Sequence, residues 1–219
     1  MPEKLPHLNL PSLTQAHELL EKAAGLNPGP WVGHSRHTAI AAHNIAARHP
    51  RLDPDDAYIL GLLHDIGRRF GRTAMRHVLD GYLYLESLGY PDAARISLTH
   101  SFPIQNAMAC AGAWDCTPEE LAFVTYSLQQ AIYTEYDHLI MICDSITLPG
   151  GFCLMEKRLV DVALRHGFND WTIRKWKAYF SLKQQLEDEI GLSIYDVLPG
   201  VVENTFTIPV SQPDEEPGA

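Results

Sequence analysis

The stretch Asp53-Pro-Asp-Asp-Ala-Tyr-Ile-Leu-Gly-Leu-Leu-His64-Asp65-Ile-Gly67-Arg68 decides the fold. It opens with a cap residue, a proline at the first helical position and two acids in the first turn, which together start a helix. The spacing predicts that this helix runs to about Gly67. Its residues are apolar nearly all round, which places it at the centre of a fold rather than on a surface. A histidine and an aspartate at the end of such a helix are costly unless paired or bound to metal. Adjacent helical positions diverge by about 100°. The pair therefore cannot grip one point symmetrically, but can serve one cation with the aspartate reaching toward a second. The alternative is a histidine satisfied by a local carboxylate.

Outward from this helix, helical signals dominate. Ser12 to Ala24 is amphipathic and stops at Gly25. Asn27-Pro-Gly-Pro30 reads as a loop, and Ser35 to His49 as an alanine-rich helix stopped by Pro50. Further helices are expected at about 73–88, 92–100, 104–112, 118–130, 134–147, 154–166 and 170–190. Thr117-Pro118-Glu119-Glu120 repeats the cap, proline and acid signature. Period-2 alternation is scarce, so little or no sheet is expected. The expected architecture is all-α, a compact single-domain helical bundle over residues 12–200, with loosely held tails at 1–11 and 201–219.

The 219 residues are 46% hydrophobic and 20% charged, which excludes disorder for the bulk of the chain. The longest apolar run, Tyr58 to Leu63, falls far short of the roughly 20 residues of a membrane span. The N-terminus reads as no secretory signal. Four cysteines form no CxxC pair, so free thiols in a reducing cytoplasm are expected. With 27 acids against 17 bases the net charge is −10, which disfavours long nucleic acid or an anionic membrane as partner. Eleven histidines are the outlying count, and histidine is the commonest metal ligand.

Three segments stand in order. Trp31-Val-Gly-His34-Ser-Arg-His37-Thr38-Ala-Ile-Ala-Ala-His-Asn-Ile-Ala46 comes first, then Gly61-Leu-Leu-His64-Asp65-Ile-Gly67-Arg68, then Tyr136-Asp137-His-Leu-Ile-Met-Ile-Cys-Asp144. Together they resemble the HD-domain metal-dependent phosphohydrolase superfamily over roughly residues 31–147, with Thr38 in place of the usual valine and Arg68 in place of the usual lysine. The resemblance implies His34, His64, Asp65 and Asp144 as ligands of one metal. His37, one helical turn from His34, is the rival first ligand or else a neighbour of the site. The dinuclear branches of the superfamily use two further histidines in the following interval. His77, in a helix with Gly81, Leu85 and Leu88 on the same face, and His100 match them. They would hold a second metal with Asp65 as a bridge; the alternative is one metal, with both histidines binding substrate or packing in the core. Four histidines and two aspartates without thiolate suit iron or manganese better than structural zinc, with zinc, nickel, cobalt and magnesium left open.

Arg68, Arg69, Arg72 and Arg76 fall within nine residues after the His-Asp pair. Arginine forks match phosphate oxygens, so Arg68 and Arg69, with His37, are the substrate-binding candidates; a solvated face is the alternative. Asp65, Arg68 and Asp137 are the candidate catalytic residues. Asp137 shares a helical face with Asp144 and is open to a salt-bridge role instead. Arg158 is a lesser candidate for the pocket, and Tyr133 and Tyr136 fit the core better than the pocket. Leu148 to Phe152 is a turn beside the site.

The implied function is hydrolysis of a phosphate ester or anhydride in a small metabolite or nucleotide, by metal-activated water. Two alternatives share the ligand set or the fold: a di-iron oxygenase cleaving a C–C or C–P bond, and a non-catalytic module that binds a nucleotide or partner protein. A homodimer is left open.

Overall fold

The computed structural model describes residues 5, 6 and 8–206. Ten helices order the described chain: α1 Leu13–Leu26, α2 Pro30–Ala46, α3 Pro54–Leu63, α4 Arg76–Ser87, α5 Pro91–Thr99, α6 Pro118–Gln130, α7 Glu135–Ser145, α8 Met155–His166, α9 Thr172–Ile190 and α10 Val201–Phe206. Among the described residues the sheet is one antiparallel pair, β1 Thr147–Leu148 with β2 Gly151–Phe152. The protein is all-α, and no helix among the described residues is long and apolar enough to cross a membrane.

Helix α3 is the hub, and it packs against α1, α2, α5 and α7. Asp53 caps it by accepting from the backbone N–H groups of Asp55 and Asp56. Ala57, Ile59, Leu60, Leu62 and Leu63 are all buried, which a helix with apolar residues on every side requires. Two glycines let backbone approach the end of this helix. A Cβ on Gly61 would lie 2.7 Å from Ala39 Cα on α2. A Cβ on Gly67 would collide with the carbonyl of His77 and the backbone of Gly81 on α4.

Several boundaries depart from the sequence expectation. Helix α2 starts at Pro30, inside the expected loop, because proline suits the first helical turn. The central helix stops at Leu63, and the chain tightens into a 3-10 turn at Ile66–Phe70. The expected helix at 104–112 is absent; only a 3-10 turn at Ala107–Ala109 forms. There Asn106 Oδ1 accepts from Met108 N, a side-chain bond that offers the backbone an alternative to a helix.

The terminal segments are also more ordered than loose tails. Leu5, Leu8 and Leu10 pack on the core, and Asn9 bonds Asp92 and the Gly89 carbonyl. Val201–Phe206 forms α10, held by Lys157 Nζ donating to the carbonyls of Asn204 and Thr205. Residues 207–219 of the expected 201–219 tail, and His7, lie outside the described residues. All four cysteines are free thiols.

Candidate metal centre

Helix ends from five segments meet beside α3. His34 comes from the start of α2, His64 and Asp65 from the end of α3, His77 from the start of α4, His100 from the end of α5 and Asp144 from the end of α7. His34, His64, Asp65, His77 and His100 are buried. Asp144 is open to a cavity of about 610 Å³ that all of these residues except His64 line.

Their atoms form two triads that share one residue: His34, His64 and Asp65, and Asp65, His77 and His100. His34 Nε2 lies 2.8 Å from Asp144 Oδ1 and 3.3 Å from His64 Nε2. Asp65 Oδ1 lies 3.3 Å from His77 Nε2 and 3.7 Å from His100 Nε2.

The backbone fixes which nitrogen faces inward. His64 Nδ1 donates to Gly61 O at 2.7 Å, His77 Nδ1 to Ala74 O at 2.6 Å and His100 Nδ1 to Ser97 O at 2.9 Å. A carbonyl can only accept, so in each neutral ring Nε2 carries the lone pair. Three imidazole lone pairs and two carboxylates therefore converge. Asp65 Oδ1 is buried with no hydrogen-bond donor at all. Such a set is unfavourable alone and favourable around a cation, so these residues fit divalent metal.

The electrostatics keep the ligands in metal-binding form. Burial pushes His64 down to about 4 and His77 down to about 3, so both rings stay neutral. Burial alone would raise the Asp65 carboxyl. The Arg68 guanidinium, with Nε on Asp65 Oδ2 at 2.6 Å, outweighs it and holds Asp65 well below the usual carboxylate range. Burial likewise opposes Asp144, and the bond from His34 overcomes it.

The remaining candidates divide. Arg68 lines the cavity. Arg69 does not: its guanidinium stacks 3.9 Å over the Tyr84 ring. Arg76 is taken by a two-pronged pair with Glu120, and Arg72 is exposed. His37 donates to its own helix at Gly33 O and meets Phe152 edge-on, outside the cavity lining.

Asp137 is not among the residues that line the cavity, and it takes the salt-bridge role that the sequence left open. Its side chain is fully buried and accepts from Arg95, Thr99 Oγ1 and both donors of Thr134, so every lone pair has a structural use. Tyr133 donates to Phe102 O and Tyr136 accepts from Asp53 N, as core residues. Leu148 and Pro149 of the hairpin line the cavity.

Arg158 lines the cavity too, and so does Lys175, which the sequence reading passed over. The available signal was helical spacing: Lys175 stands on the stripe of α9 that carries buried Tyr179 and Leu186.

The HD domain family profile matches residues 31–148, more than half of the chain, so the chain belongs to the HD domain family. Members of that family bind divalent metals and are mostly metal-dependent hydrolases. Comparison with curated proteins found no match, and comparison with solved structures found none. Arg158 and Lys175 lie C-terminal to the matched segment.

Proposed function

We propose that the protein is a metal-dependent phosphohydrolase acting on a phosphate ester or anhydride of a small metabolite or nucleotide, with two divalent ions per chain. The observation that carries this reading is the pairing of Asp65 with both triads and with Arg68. One carboxylate oxygen faces His77 and His100, and the other is held by a guanidinium that also lines the cavity. Metal ions, when bound, supply a water of lowered pKa and neutralise charge on phosphoryl oxygens.

The chain's own residues do the rest. His34, His64 and Asp144 would hold one ion, His77 and His100 the other, with Asp65 common to both. The backbone carbonyls of Gly61, Ala74 and Ser97 orient three of the rings. Arg68 spends Nε on Asp65 and directs Nη2 at His77 Nε2 at 3.4 Å, which leaves Nη1 for a phosphate oxygen. A donor set of imidazoles and carboxylates without thiolate favours iron or manganese.

The test is phosphate release from a panel of esters and anhydrides by protein supplied with manganese or iron, run beside an oxygen electrode. Phosphate release without oxygen uptake is expected. Substrate-dependent oxygen consumption without phosphate release would replace this reading with the oxygenase. A protein free of metal, with stability and ligand binding unchanged by His64→Ala, would point to a non-catalytic module.

A further inference from the structure

Lys175 on α9 and Arg158 on α8 bring positive charge to the cavity from helices that carry none of the metal-centre residues. Among the described residues no carboxylate forms an ion pair with Lys175; its Nζ lies 5.8 Å from the centre of the Tyr179 ring. Arg158 donates through Nη1 to Asp161 at 3.0 Å, while its Nε is buried without a partner. Asp161 is shared, because Arg165 also donates to it at 2.9 Å. On α8 and α9 this wall therefore presents three cations, Arg158, Arg165 and Lys175, against the one carboxylate of Asp161, and all four line the cavity, with Asp144 of the metal centre facing them from α7. The excess stands out in a chain of net charge −10.

Arg68 differs, because Asp65 already neutralises it. Burial pushes the Lys175 ammonium down to about 8, which still leaves it mostly charged at neutral pH. Asp144 across the cavity acts on Lys175 only at longer range, so a half-buried ammonium with no ion-pair partner is left that an incoming anion would stabilise.

We propose that Lys175 and Arg158 form an anion subsite that binds a second phosphate of the substrate, so that the preferred substrates carry two phosphoryl groups joined by a linker rather than one. This rests on the phosphohydrolase reading, which places the first phosphate at the metal centre beside Arg68. Apolar linkers have a matching surface in the cavity, which Trp31, Leu148 and Trp176 also line.

The test is calorimetric titration of the metal-loaded protein with alkane-1,n-diphosphonates of two to six carbons, each compared with the alkylphosphonate of equal length. These ligands are not hydrolysed, so the readout is independent of turnover. At least one diphosphonate is expected to bind about tenfold or more tightly than its monophosphonate, as one charge-assisted contact warrants. Lys175→Met should shrink that ratio to below about threefold, and Lys175→Arg should retain most of it. Arg158→Met gives an independent second variant, expected to lower the ratio in the same direction. Equal affinity at every length, no binding of either ligand, or an advantage that survives both methionine variants would overturn the proposal. Failure of the phosphohydrolase reading looks different: no phosphate release from any substrate, with the diphosphonate preference intact.

Discussion

Asp65 Oδ1 faces His77 Nε2 at 3.3 Å with no hydrogen between them. The ring's N–H points to the Ala74 carbonyl, so a lone pair meets a carboxylate oxygen inside the protein. His100 repeats the relationship on the same oxygen at 3.7 Å. The backbone thus pre-sets two rings for a charge that neither they nor Asp65 can supply.

That arrangement makes the metal-free protein sensitive to acid. His64 and His77 titrate at about 4 and about 3 when folded, against 6.5 for a free ring. Below pH 6.5 the unfolded chain takes up protons that the folded chain refuses, so stability is full above that pH and falls as pH drops toward 4. Two such groups give a slope approaching about 2.7 kcal/mol per pH unit. Urea unfolding of chelator-treated protein from pH 7.5 to 5 checks it. His64→Gln should remove roughly half of the slope, and a flat profile would contradict the buried neutral rings.

Arg68 has two jobs at once, holding Asp65 ionised and offering N–H groups to the cavity. Arg68→Ala should raise KM for a phosphorylated substrate by about tenfold or more, the scale of one charge-assisted contact. Arg68→Lys keeps the charge without the fork and should fall between the two. Steady-state kinetics on the three proteins reads this; identical KM values would remove Arg68 from substrate binding.

Asp137 should behave as a structural residue. Asp137→Asn leaves the buried side of Arg95 without its partner, and breaking such a pair costs about 3 kcal/mol. For a chain of this size that lowers Tm by roughly 6–12 °C. Metal content should not change. A variant with normal Tm and lost activity would restore Asp137 as a catalytic candidate.

Where the sequence was readable and where it was not has physical causes. Asp53 with Pro54, and Thr117 with Pro118, announce helix starts through local cap chemistry, and both caps form. The candidate ligands stand at helix ends, so placing the helices brings them together. The segment after Pro103 misleads, because its order comes from side-chain bonds across distance: Asp115 accepts from the backbone of both Ala74 and Arg76. The arginine cluster misleads for another reason. Neighbours in sequence are sent apart by the 3-10 turn and the start of α4, Arg68 to Asp65, Arg69 to Tyr84 and Arg76 to Glu120. Asp137 shares a helix face with Asp144, but the spacing could not show that Arg95 and Thr99 on α5 would occupy it.

The most direct measurement is the metal content of freshly purified protein by elemental mass spectrometry, beside Asp65→Asn and His100→Ala. The account predicts two ions per chain in the native protein, about one in His100→Ala and fewer than one in Asp65→Asn, since Asp65 serves both positions. A native protein without bound divalent metal, or an Asp65→Asn protein that retains both ions, would contradict it.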